Sequence, residues 1–168
     1  MGHVIDAEKA QQEQTALFDS LVHAEVALWG FLEHSLNQAP GSATLGRYLV
    51  LKQIKAADGG MRVQDIARRQ HCTAGAASRL VDRLVSDGLV ERTPCVLDRR
   101  AVSLRLTAEG IRRMERAAGT FEAALREVLS GIDSTTLEAL TQSLGFLAAA
   151  AERCRYATPT VPSAGGAL

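Results

Sequence analysis

Aromatic side chains are scarce in this 168-residue chain: one Trp, two Tyr and four Phe, or 4%. Set against 46% apolar residues, with Ala and Leu prominent among them, that scarcity suits a helical protein. Cysteine is scarce too. Cys72, Cys95 and Cys154 are odd in number and lack the paired spacing of metal ligands, which argues against both a disulfide framework and a zinc site. In a reducing compartment they are thiols. No apolar run approaches the length needed to cross a bilayer, and the polar N-terminus lacks the apolar core of a signal peptide. The expectation is a cytoplasmic protein with no membrane partner. Catalytic patterns are missing as well. His3, His23, His34 and His71 are scattered, and there is no Gly-rich phosphate loop, nucleophile elbow or carboxylate pair set in a motif. Neither an enzyme nor a bound cofactor is expected.

An excess of either charge is also absent, since 19 Lys and Arg balance 19 Asp and Glu. The chain is therefore no uniformly basic nucleic-acid binder. The distribution, however, is uneven. Between Met61 and Thr107 there are nine basic residues and only five acidic ones, so positive charge is gathered in the centre, as a phosphate-facing module requires.

What the chain does have is helical periodicity on either side of that centre. Leu17, Leu21, Ala24, Leu28, Leu32 and Leu36 recur at helical spacing with Phe18, Val22 and Trp29 beside them, a face wide enough for more than one partner. Pro40-Gly41-Ser42 ends that helix. Thr44 caps a second one through Ile54, and Asp58-Gly59-Gly60 closes it. After the centre, Thr107 caps a long helix with Ile111, Met114, Ala118, Phe121, Leu125 and Val128 on one side. Asp133 or Ser134 caps a last helix carrying Leu137, Leu140, Leu144, Leu147 and Ala151. Helices from both chain ends can form one bundle, and two bundles a dimer.

The centre, from Met61 to Gly110, reads as two short helices, a tight turn at His71-Cys72, and a hairpin. Val63, Ile66 and Ala67 face inward on the first helix. Thr73 caps the second, which buries Ala77, Leu80, Val81 and Leu84 and ends at Gly88. Its outer face carries Ala74, Gly75, Ser78, Arg79, Asp82 and Arg83. Small residues at the N-terminal end permit close approach to a major groove, Ser78 can bond a base edge or phosphate, and Arg79 can reach guanine with two hydrogen bonds. Leu89 to Thr93 and the alternating Val102, Leu104 and Leu106 have strand character. Between them lies Leu97-Asp98-Arg99-Arg100, a tip that can place one arginine in a minor groove while Asp98 braces the other. The pattern is a winged helix-turn-helix. The fold class expected is mainly α with a small β-wing: helical dimerisation segments at 10–44 and 111–156, a DNA-binding lobe at 45–110, and a disordered tail at 157–168.

RLVDRLVSDGLVER followed by DRRAVSLRLTAEG resembles the multiple antibiotic resistance regulator (MarR) family of bacterial transcription factors. The resemblance is sharpest from Val63 to Gly110, and the helix order extends it to about residues 15–155. It implies a homodimer, with first and last helices interlocked, that binds a pseudo-palindromic operator in double-stranded DNA and usually represses transcription. It also implies that Ser78, Arg79 and Arg83 occupy recognition-helix positions, that Arg99 is the wing-tip arginine, and that Asp98 and Arg100 brace the wing. Three departures stand out. Arg62 replaces the Ser or Thr cap common in the family, His71 replaces a common Gly, and Thr93-Pro94-Cys95-Val96-Leu97 is more apolar than the usual wing approach.

Many relatives release DNA on binding small aromatic or phenolic anions in a cleft beside the DNA-binding lobe. By resemblance such a cleft draws on His23, Trp29, Phe31, Arg47, Tyr48 and Met114, with arginine beside aromatics suited to a carboxylate. Other relatives sense oxidants. Cys72 fits a buried apolar position, whereas Cys95 is the candidate sensor, with Arg92 near enough in sequence to favour thiolate. A third reading is a winged helix that binds proteins and not DNA.

Overall fold

Polar side chains at loop positions decide where the helices begin. The Thr44 hydroxyl accepts from the backbone N–H of Arg47 at 3.3 Å, Thr73 from Ala76 at 3.2 Å, and Thr107 from Gly110 at 3.0 Å. The Asp133 carboxylate does the same for Thr136 at 3.0 Å. Each satisfies a donor that the helix cannot. At Arg62 no such oxygen exists, and the cap is reversed: the Asp65 carboxylate reaches back to the Arg62 N–H at 3.1 Å. Arg68, one turn on, hydrogen-bonds the same carboxylate and holds its pKa below the ordinary range.

The computed structural model describes residues 2–38, 44–57, 60–94 and 102–156, with side chains in the first helix described from Glu8 onward. The elements are α1 (Gly2–Gln38), α2 (Leu45–Ala56), α3 (Val63–Arg69), α4 (Ala74–Ser86), β1 (Val90–Pro94), β2 (Val102–Leu106), α5 (Ala108–Leu129) and α6 (Ser134–Tyr156). The chain is thus mainly α with a small antiparallel sheet, as its periodicity predicts. β1 pairs with β2 from Val90↔Leu106 to Pro94↔Val102, and Met61 adds an isolated bridge to Leu104 on the other edge of β2. Two compact units are distinguished, Met1–Val128 and Leu129–Leu168.

Within the first unit the apolar side chains form two clusters. One joins α2, α3, α4 and the sheet through Val50, Leu51, Ile54, Ile66, Val81, Leu84 and Leu104. The other joins the end of α1 to α2 and α5 through Leu32, Leu36, Leu45, Tyr48, Ala117 and Ala124. Met114 packs against both. The α3 and α4 faces are those that the spacing predicts. On α5, by contrast, the fully buried positions are Gly110, Ala117 and Ala124, and the larger Met114, Phe121 and Leu125 pack only partly buried beside them. Small residues sit at the closest helix approach, so the bulky ones lie on its flanks.

The α1 helix takes in the polar residues ahead of Leu17, and of its apolar stripe only Leu32 and Leu36 are buried. Leu17, Phe18, Val22, Val26 and Trp29 remain exposed. Against the expectation that no apolar run approaches membrane-spanning length, α1 contains one. Glu8–Gln38 is long enough and reaches a mean hydropathy of 1.2, because Ala, Leu and Val outweigh widely spaced polar residues. The core helix of a soluble protein has the same length and composition. Asp19, Glu25 and Glu33 would each be costly in hydrocarbon.

The α4 helix ends in a Schellman turn. Gly88 takes φ +69°, its N–H donates to Val85 O at 2.9 Å and the Leu89 N–H to Leu84 O at 2.9 Å, a left-handed stop that glycine adopts without strain. The chain is then clamped. Thr107 donates its hydroxyl to Gly88 O at 2.6 Å, and the first turn of α5 rests on Leu89 so closely that a Cβ on Gly110 would lie 2.0 Å from the Leu89 carbonyl oxygen. Gly110→Ala should therefore lower stability by about 1–3 kcal/mol, the usual range for overpacking. Gly119→Ala, in open space on the same helix, should raise it by about 0.5–1 kcal/mol through reduced chain entropy. Denaturant titration of the two variants checks the opposite signs.

Candidate nucleic-acid interface

The outer face of α4 is assembled by three local decisions. Thr73 starts the helix, the apolar stripe Ala77, Val81 and Leu84 seats it with no exposure, and Gly88 stops it. Ala74, Gly75, Arg79 and Arg83 are left exposed and Ser78 half-buried. The Arg79 side chain runs back along the helix toward its N-terminus, as helical rotamers favour: its Nη1 lies 3.8 Å from where a Cβ on Gly75 would be. Positive charge and small residues thus share one end of one face. All the recognition-helix candidates, Thr73, Ala74, Gly75, Ser78, Arg79 and Arg83, fall on this helix or its cap.

The turn that aims α4 has a cost. His71 adopts φ +48°, in the left-handed region that a glycine would enter freely and other residues enter less often. A left-handed turn explains why Gly is common there in the resembling family. Cys72, next to it, packs half-buried against the core of the lobe, consistent with its reading as a small apolar residue.

After α4 the chain enters the β1–β2 hairpin. Cross-strand Glu91 and Arg105 are register partners, a favourable pairing of charges. Residues 95–101 lie outside the described residues, so Cys95, Asp98, Arg99 and Arg100 are placed by sequence alone. Arg92 is described, and it is ion-paired: its Nη2 donates to Asp82 Oδ1 of α4 at 2.6 Å. The sequence reading linked Arg92 to Cys95 and missed this bond. Ten residues of separation across a turn leave no periodic signal for it.

The six residues expected to line a ligand cleft are divided. Phe31, Tyr48 and Met114 meet in the α1–α2–α5 cluster, where the Tyr48 and Phe121 rings lie 5.0 Å apart at 39°. His23 is exposed and Trp29 is 41% exposed, and neither belongs to that cluster. Arg47 pairs with Asp87, the C-cap of α4. A different cation is beside the rings: Lys52 Nζ stands 6.0 Å from the Tyr48 centroid and 5.6 Å from that of Phe121, within cation–π range. Its position one turn after Tyr48 was available as a signal. Burial raises the Tyr48 pKa, and the charge of Glu122 adds to the effect. Among the described residues no group of three or more His, Cys, Asp or Glu is placed to hold a metal ion.

Comparison with known proteins gives a consistent answer. Residues 43–102 match the model of the MarR family. The HTH-type transcriptional repressor MdtR of Bacillus subtilis (strain 168) is 30% identical over 109 residues, which cover 65% of this chain and 70% of the relative. Among solved structures, CouR from Rhodococcus jostii RHA1 bound to p-coumaroyl-CoA is 26% identical with a TM-score of 0.70, covering 76% of this chain and 88% of its own. A mutant of MarR from E. coli complexed with operator DNA has the same fold, with a TM-score of 0.69, 24% identity and coverage of 80% and 95%. AbsC from Streptomyces coelicolor, also 24% identical, reaches a TM-score of 0.73 with coverage of 82% and 93%. The solved structures share the fold, and the likeness to MdtR, together with the family match over residues 43–102, establishes that the chain belongs to the MarR family of DNA-binding transcriptional regulators.

Proposed function

We propose that this protein is a homodimeric repressor that binds a pseudo-palindromic operator and is released from it by a small aromatic or phenolic ligand. The observation that carries the reading is the outer face of α4, where exposed Arg79 and Arg83 follow small residues on a helix locked from behind. Each α4 enters a major groove, two of them one helical turn apart, with Ser78, Arg79 and Arg83 toward the bases and backbone. The wing, through Arg99 braced by Asp98 and Arg100, lies along the flanking minor groove. The fold shared with a MarR protein solved on operator DNA supports this arrangement. The site of action is the cytoplasm, where bacterial operator DNA lies.

Unpartnered apolar surface supports the dimer. α1 exposes Leu17, Phe18, Val22, Val26 and Trp29, and α6 exposes Leu140, Leu144, Phe146 and Leu147. Large apolar side chains exposed along each of these helices mark interaction faces, and a two-fold dimer covers each of them twice with one sequence. Ligand control rests on the aromatic cluster of Phe31, Tyr48 and Met114, with Lys52 beside it to meet an anion. CouR, of the same fold and solved bound to p-coumaroyl-CoA, supports this reading. A ligand releases DNA only if it binds the two conformations with different affinity.

A mobility-shift assay on the DNA flanking the protein's own gene tests the reading directly. Operator affinity should fall steeply with ionic strength, log K being linear in log salt; a salt-insensitive complex would point to a protein-binding module. Arg79→Ala should cost about 1–3 kcal/mol and relax base preference, and Arg99→Ala should weaken binding with a smaller salt slope. Unchanged affinity in both variants would sink these contacts. Leu144→Glu should turn a dimer into a monomer on size-exclusion chromatography and lower operator affinity with it. Phenolic carboxylates should release the operator in the same assay, and mild oxidant should not.

A further inference from the structure

Asp82 is a carboxylate on the wrong surface. It lies on the outer face of α4, three residues after Arg79 and one before Arg83, where it stands to repel phosphate. The spacing from Arg79 is also that at which an acid pairs with a base of its own helix. Such a pair would occupy the guanidinium that reads a base. The structure shows a different arrangement. Arg79 runs toward Gly75, while Asp82 is taken by Arg92 of β1 at 2.6 Å. The two partners are 54% and 41% exposed, so their bond contributes little to stability. Nor is it needed to hold β1, whose register with β2 is set by the ladder from Val90↔Leu106 to Pro94↔Val102.

We propose that Arg92 is a positioning residue for DNA binding: by holding the Asp82 carboxylate it keeps Asp82 from pairing with Arg79 and leaves the Arg79 guanidinium free to read a base. The inference rests on the reading of α4 as the recognition helix. Neither Arg92 nor Asp82 contacts DNA in this arrangement. Their effect is exerted through Arg79, so it concerns operator preference more than general affinity for DNA.

The test compares Arg92→Ala, Asp82→Ala and the double variant for affinity to operator and to unrelated DNA, for salt dependence, and for thermal midpoint. Arg92→Ala should weaken operator binding about two- to fivefold, the scale of one exposed ion pair, with unrelated DNA and the salt slope unaffected. Asp82→Ala should bind operator at least as tightly as the wild type. The double variant should regain wild-type affinity, because no carboxylate is left to compete. A loss that persists in the double variant, with a salt slope smaller by about one, would make Arg92 a phosphate contact and overturn the proposal. Equal losses in the two single variants with lowered midpoints would reduce the pair to a scaffold, and unchanged operator binding in Arg92→Ala would remove any role; either overturns it. A wild-type chain without preference for operator over unrelated DNA would overturn the DNA reading itself, before any variant is compared.

Discussion

One threonine hydroxyl holds the end of α4, the start of β1 and the first turn of α5 in register. Thr107 Oγ1 donates to the Gly88 carbonyl at the end of α4 and accepts from the Gly110 N–H in the first turn of α5. Because Gly110 has no side chain, α5 can lie against the Leu89 carbonyl, pinning the strand that leaves α4. The direction of α4, the root of the hairpin and the start of the long α5 are therefore one decision. Close-packed neighbours that cannot be moved singly transmit displacement as a unit.

The α2 helix extends that unit toward the other apolar cluster. Val50, Leu51 and Ile54 face the lobe, while Leu45 and Tyr48 face α1 and α5. A change in packing around Tyr48 and Phe121 thus reaches α4 across a single helix, and the ion pair of Arg47 with Asp87 offers a second, weaker connection at the helix end.

Much of this was readable from the residues. The caps at Thr44, Thr73 and Thr107 announce helix starts because a hydroxyl followed by an apolar period has few other local solutions. The stop at Gly88 and the outer face of α4 are legible for the same reason. Less legible was the burial of Ala117 and Ala124 in preference to Phe121, since period alone does not say how closely neighbours approach. The fates of Arg47, Lys52 and Arg92 were hidden as well. Long cationic side chains choose partners in space, and the sequence reading assigned Arg47 to a ligand and Arg92 to a cysteine where the structure pairs both with aspartates of the α4 region.

The stretch from Met61 to Gly110 specified by itself the order of its elements, the buried and outer faces of α4 and the membership of a family, because those properties depend on spacing of three, four or two residues and on backbone preferences of Gly and Thr. Tertiary structure alone decided which charges remain available on that face. Asp82 and Arg79 are three residues apart and could have paired; β1 brings Arg92 from ten residues away and takes the carboxylate first. The physical reason is that local spacing sets which pairs are possible, while the approach of a distant strand sets which of them form.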